Sequence, residues 1–517
     1  MQVHSSLPQL NFDILLNILP YLASRRDVSS FMQVCKEFFC PAISHLLDPR
    51  RGDIILDTAK QASSFIVFMF ATSYSERRFN SLSHLQIWIH FKPGYGDSTY
   101  VGDWTRIGKS LAEIVRRSVN LEHLTIGNAI LELDDPDIFE VFRNLKSHKR
   151  LRELTVDIDQ ESGRRLLHQM EVSSVDNLAI VVRPPIVEGP EVLLPFTSTI
   201  ISLRLDLPHL EGLRDLRCPQ LRQLTLTTED TIITSDLLLA FPNLQDFNIE
   251  SDAHLPPVVD DSTALEWRDD NQSRLIQDNI TAMRLRYVDG SVTSLYIMGL
   301  LPGIRELNLS EEIEVNLSRA IQVVRDCSPK ALRITINGSQ YTGQEVKELI
   351  QELIEILNTS GATYLYLHIE LTGRALSSLA GILAKLTTLE YLLVVIWYQG
   401  QSSPNAIILE PDVLDAEGPR DFVESDTCLG ALGGMAYEIA RGNPRLKQVG
   451  IYCGDGGHCS KGCWDVVRPG NKEGGSEEIE WPTLIPLDEF SGPDGILRFW
   501  KAAKKKDGGL KQKGGLL

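Results

Sequence analysis

The feature of this sequence that most restricts its fold is a short apolar motif that recurs along most of the chain. In Leu121-Glu-His-Leu124-Thr-Ile126, Leu151-Arg-Glu-Leu154-Thr-Val156 and Leu221-Arg-Gln-Leu224-Thr-Leu226, apolar residues stand at x, x+3 and x+5. Leu244/Phe247/Ile249, Ile304/Leu307/Leu309, Leu389/Leu392/Val394 and Leu446/Val449/Ile451 keep the spacing, and weaker copies centre on Leu85, Leu178, Leu203, Met283, Ile334 and Leu365. The central positions fall on average about 30 residues apart, a period typical of stacked repeats. Residues x+3 and x+5 share one face of an extended chain, so each copy predicts a short strand with one buried side. Amphipathic helical stripes precede the strands: Ile138, Val141, Phe142 and Leu145; Val346, Leu349, Ile350, Leu353, Ile354 and Leu357; Leu376, Leu379, Ile382, Leu383 and Leu386. For the second of these, Thr342 and Glu345 form a capping box and Gly361 closes the helix. The alternation predicts an α/β solenoid with a parallel inner sheet and outer helices, a curved horseshoe starting near residue 75.

The leucines build the scaffold, so binding falls to the residues between them. These are Glu122, His123, Arg152, Glu153, Arg222, Gln223, Arg305, Glu306, Glu390, Tyr391, Lys447 and Gln448, with the loops that follow each strand. Strict alternation lets only part of that set face the open side of the sheet. Their mixed sign suits a protein partner. Two stretches break the pattern, Ser251 to Asn279 with Pro256-Pro257 and dense acids, and Gln399 to Asp426, rich in Pro, Gly and acid; both read as loop insertions.

The first fifty residues are different. Asn11 can cap a helix whose first turn carries Asp13 and which continues through Ile14, Leu15, Leu16, Ile18, Leu19 and Leu22. Pro20 and the segment after it end that helix; a second shows Val28, Phe31, Cys35 and Phe38, and Pro41 opens a third that Asp48-Pro49 terminates. The first helix is apolar nearly all round, more than two neighbours can cover, so either the rest of the chain or a partner must cover it. No Lys or Arg precedes the apolar stretch, which argues against a signal peptide.

Leu10 to Leu22, followed by Asp27-Val28 and Val34-Cys35-Lys36, resembles the F-box motif, with Asn11 where the family usually has Pro and Asp13 where it usually has Glu. The repeats resemble leucine-rich repeats, although Ala129, Asp159 and Glu229 stand where that family has Asn or Cys. The F-box resemblance implies docking to the Skp-type adaptor of a cullin ubiquitin ligase complex through Leu10, Ile14, Leu15, Ile18, Leu19, Leu22, Val28, Val34 and Cys35, with the solenoid holding a target protein. The expected organisation is an N-terminal three-helix F-box over 1–50, a linker helix over 51–75, a divergent leucine-rich-repeat solenoid over 76–465 and a C-terminal extension with a basic tail over 466–517. A non-ligase repeat scaffold, whose N-terminal helices pack internally, is the alternative.

Composition removes other classes. A net charge of −18 opposes general nucleic-acid binding, the exception being the tail of Lys501, Lys504, Lys505, Lys506, Lys511 and Lys513. Ala62 to Ala71, the most apolar run, is about half the length a membrane helix needs. Eight scattered cysteines suit reduced thiols in cytoplasm or nucleus. Cys453, His458, Cys459 and Cys463 lack the paired two-to-four-residue spacing of a zinc site. Gly94-Tyr95-Gly96 lacks a third glycine, and no nucleophile or phosphate-loop motif occurs, so no catalytic residue, metal or cofactor is expected.

Overall fold

A computed structural model describes residues 16–22, 24–34, 36–71, 74–89, 104–127, 130, 135–158, 161–172, 174–183, 189–207, 209–228, 230–250, 259–281, 283–309, 317–338, 343–371, 379–398, 427–454, 459–468 and 482–486. The chain is mixed α/β and divides into two compact units, Met1–Leu244 with Glu250–Leu255, and Gln245–Ile249 with Pro256–Leu517.

The first unit carries parallel strands in sequence order: β1 (Ile54–Leu56), β2 (His84–Ile87), β3 (His123–Ile126), β4 (Glu153–Ile158), β5 (Asn177–Val182), β6 (Ser202–Asp206) and β7 (Gln223–Thr227). Ile54, Leu85, Leu124, Leu154, Leu178, Leu203 and Leu224 stand opposite one another in a single row. All but Ile54 are buried, as the repeat spacing requires. The sheet thus begins inside the segment read as a linker helix. Ile54-Ile55-Leu56 supplies a strand and Ala59–Phe70 the helix, which Thr58 and Gln61 close with a capping box. No described helix is long and apolar enough to cross a membrane.

The second unit continues the pattern with β8 (Asp246–Glu250), β9 (Tyr287–Gly290), β10 (Glu306–Leu309), β11 (Ala331–Gly338), β12 (Tyr364–Leu371), β13 (Tyr391–Tyr398) and β14 (Gln448–Gly454), all parallel. Its core row is Phe247, Val288, Leu307, Leu332, Leu365, Leu392 and Val449. Two centres therefore move from their expected places, Met283 to Val288 and Ile334 to Leu332. Two antiparallel strands follow, β15 (Cys459–Val467) and β16 (Thr483–Pro486), so part of the expected C-terminal extension belongs to the sheet. Buried Trp464 lies opposite Val449 and extends the core row.

One backbone device recurs in both units. The carbonyl of the residue just before a strand accepts two successive N–H groups from the next repeat: Glu122 O from Arg152 and Glu153, Arg305 O from Lys330 and Ala331, Glu390 O from Lys447 and Gln448. This shared acceptor interrupts the regular ladder in the manner of a bulge at the strand entrance. Arg152 is exposed and Glu153 half-buried at one such place.

Helices fill the connections. Asp135 caps Pro136–Arg143, its Oδ1 accepting the N–H of Asp137 at 3.0 Å, and Ile138, Phe142 and Leu145 are buried beneath it. Gly343–Ser360 buries Ile350, Leu353, Ile354 and Leu357, and Gly361 takes the left-handed conformation (φ 72°) that closes such a helix. The stretch read as a loop insertion before Asn279 instead contains a seventeen-residue helix, Asp261–Gln277, capped by Asp260. Its hidden face is partly polar, with Arg268 and Asn271 buried beside Ala264 and Leu275. Residues 251–258, 399–426 and the basic tail lie outside the described residues.

Candidate functional site

The N-terminal segment is built on local capping. Ser24 and Asp27 form a reciprocal capping box that starts the helix Arg25–Met32, worth about 1 kcal/mol. A second helix spans Lys36–Leu46 with Pro41 inside it, so the proline does not open a helix of its own. Val28, Met32, Phe38, Ala42, Ile43 and Leu47 make the small core between them, and the Phe31 and Phe38 rings lie 4.4 Å apart. Two arginines fasten this segment to the start of the sheet. Arg25 donates from Nε to Leu46 O at 3.0 Å and from Nη1 to Asp53 O at 2.6 Å, while Arg51 Nη2 donates to Leu19 O at 2.9 Å.

The expected adaptor-binding residues divide. Leu10, Ile14, Leu15 and Cys35 lie outside the described residues. Leu19 and Val28 are 1% and 0% exposed, inside the protein's own core, and Leu22 is half-buried. Ile18 and Val34 are 39% and 70% exposed, and Tyr21, a neighbour not singled out from sequence, reaches 85%. Exposed branched aliphatic residues on a pinned helical segment are what a partner can still cover.

His45, at the end of the second helix, has its imidazole pKa lowered by burial and by the nearby Arg51 and Arg50, with Asp48 opposing them. A base with a lowered folded-state value binds fewer protons folded than unfolded, so its contribution is present at neutral pH and lost as pH falls. The melting temperature of the chain is therefore expected to fall between about pH 7 and 5. In His45→Gln that fall should be smaller; an identical profile would count against this assignment.

The sheet face opposite the core row differs between units. In the first it is polar: His84, His123, Glu153 and Asn177 stand in one row, and Arg183 grips Asp157 with two hydrogen bonds of 2.9 and 2.8 Å. In the second it becomes aromatic. Tyr364 and Tyr391 stack at 4.7 Å with an interplanar angle of 3°, and Lys447 Nζ lies 5.7 Å from the Tyr391 ring. Arg333 covers the Tyr366 ring at 4.8 Å, and burial raises the Tyr366 phenol pKa. Trp397 and Tyr452 meet at 5.6 Å. These part-buried rings pack around Leu393, Val395 and Cys463. Gly450 makes room for this: a Cβ there would lie 2.8 Å from Leu393 Cδ1. Of this set only Tyr391 and Lys447 were marked from sequence. Tyr366, Trp397 and Tyr452 emerge once register is known.

The cysteine cluster does not assemble. Gly450 stands opposite Cys463 and Cys453 opposite Ser460, so the pleat sends Cys453 and Cys463 to opposite faces. His458 lies outside the described residues. Compared with known proteins, the chain matches no family model and no curated relative.

Proposed function

We infer that the chain is the substrate-recognition subunit of a cullin-type ubiquitin ligase, its N-terminal helices binding a Skp-type adaptor and its leucine-rich-repeat solenoid binding a target protein. The observation that carries this reading is the exposure of Ile18 and Val34, two positions of the F-box-like motif, on a segment that Arg25 and Arg51 fasten to the first strand. The repeats add a sheet face with part-buried Tyr366, Trp397 and Tyr452, of residue types enriched at protein interfaces. The chain supplies no catalytic group on this reading. Holding adaptor and target on one polypeptide makes ubiquitin transfer from the recruited enzyme effectively intramolecular.

Burial of Leu19 and Val28 favours a second reading, a non-ligase scaffold whose N-terminal helices serve as the cap of the repeats. Co-purification of the full chain with a Skp-type adaptor separates the two. Ile18→Asp/Val34→Asp is the informative variant, because both side chains are solvent-facing and the core under them is untouched. Stoichiometric binding by the intact chain, weakened at least about 100-fold in the double variant, is expected for adaptor hot spots. An intact, folded chain that binds no adaptor would leave the scaffold reading.

A further inference from the structure

The row of side chains at the entrance to β1, β2 and β3 holds a group of donors that neither reading of the function uses. Asp53 immediately precedes β1, while His84 and His123 open β2 and β3 and are directly opposite each other across the ladder. Adjacent strands lie about 4.8 Å apart, so side chains in one row can converge on a common point. One ligand atom from each of the three lies within 4.8 Å of the other two, and all three residues are half-buried. We propose that Asp53, His84 and His123 bind a divalent transition metal of the zinc type, with Glu153 of the next strand available as a fourth ligand.

The distances fit an ion better than direct pairing. His123 Nδ1 is 4.0 Å from Asp53 Oδ2 and 3.7 Å from Glu153 Oε2, beyond hydrogen-bond reach. Ligands held at zinc bond lengths in a tetrahedron sit about 3.4 Å apart, so a small inward rotation completes the site. Outer partners are already in place. Gln86 Nε2 donates to Asp53 Oδ2, the oxygen that faces His123, at 2.6 Å, and Trp88 Nε1 donates to Gln86 Oε1 at 3.0 Å, which orients the carboxylate. Ser83 Oγ lies 3.1 Å from His84 Nδ1 and can hold that nitrogen while the other ligates. Burial, with help from His123, lowers the His84 pKa. Since Arg25 binds the Asp53 carbonyl, the metal would tie the N-terminal helices to three consecutive strands.

The test uses the full chain, stripped with chelator and dialysed, then titrated with Zn²⁺ and separately with Co²⁺. One Zn²⁺ per chain is expected, with Co²⁺ giving visible d–d absorption and no thiolate charge-transfer band. His84→Gln and His123→Gln should each weaken uptake at least about 100-fold, above the 10–100-fold typical of outer-partner loss. Cys463→Ser should leave uptake unchanged. Asp53→Asn provides a third variant if either histidine variant fails to keep the far-ultraviolet circular dichroism of the parent. Absence of uptake by the folded parent would overturn the proposal. So would uptake that survives both histidine substitutions in folded protein.

Discussion

Asp326→Ala is expected to destabilise the second unit by about 3 kcal/mol, at the lower end of the range for breaking a buried pair. Asp326 binds the Arg268 guanidinium, whose side chain is 6% exposed, and is itself 18% exposed. Arg268 also donates from Nη1 to Tyr296 O at 2.9 Å and lies 4.7 Å from the Tyr296 ring. A second buried cation, Arg319, sits 5.6 Å from the same ring, and its own carboxylate partner, Asp261, is 80% exposed. Among the described residues, removing Asp326 leaves Arg268 without its carboxylate partner beside Arg319, whose own partner Asp261 is well solvated. The apolar double variant Arg268→Met/Asp326→Leu removes the charge with its partner and should recover most of the loss. Hydrogen exchange of the Asp261–Gln277 helix reads the effect locally. Unchanged protection in Asp326→Ala would show that Arg268 is satisfied by other groups.

Leu332→Ala should cost a comparable amount, about 2–5 kcal/mol. Leu332 is fully buried between Leu307 and Leu365, its partners in the ladder on either side. Those neighbours are held by backbone hydrogen bonds to both flanks, so the site cannot collapse round the missing carbons and the upper half of the range applies. Urea unfolding measures it. A cost below about 1 kcal/mol would mean that β11 slides along its neighbours to refill the space.

Such sliding is also why the position of β11 is hard to read from sequence. In Leu332-Arg-Ile334-Thr-Ile336 the apolar residues alternate without a marker of phase, and a shift of two residues leaves the same face buried. Leu124, Leu154 and Leu224 carry a leading leucine at x that fixes the phase, and they lie in the core row where the spacing puts them. β1 escapes notice because three residues give no pattern. Tyr287-Val-Asp-Gly290 offers one apolar core residue, which drew the centre to Met283. The Asp261–Gln277 helix hides its periodicity because Arg268 and Asn271 occupy its buried face; their polar groups are satisfied by Asp326, Tyr296 O and Ile297 O, contacts no local window contains. The metal-type cluster is of the same kind. Asp53, His84 and His123 are remote in sequence and meet only because each occupies the same place in its own repeat.

β15 runs against β14, and β16 runs against β15 in turn, after the parallel run of β8 to β14. A stack of identical parallel strands has no intrinsic stopping point, since its last member offers the same unpaired backbone as every member before it. Among the described residues, the final parallel strand is paired to β15, and β15 to a strand four residues long that ends in Pro486. A short strand ending in proline is a poor template for another chain. The antiparallel pair therefore covers the edge of β14, and chains truncated before Cys459 should self-associate through that bared edge.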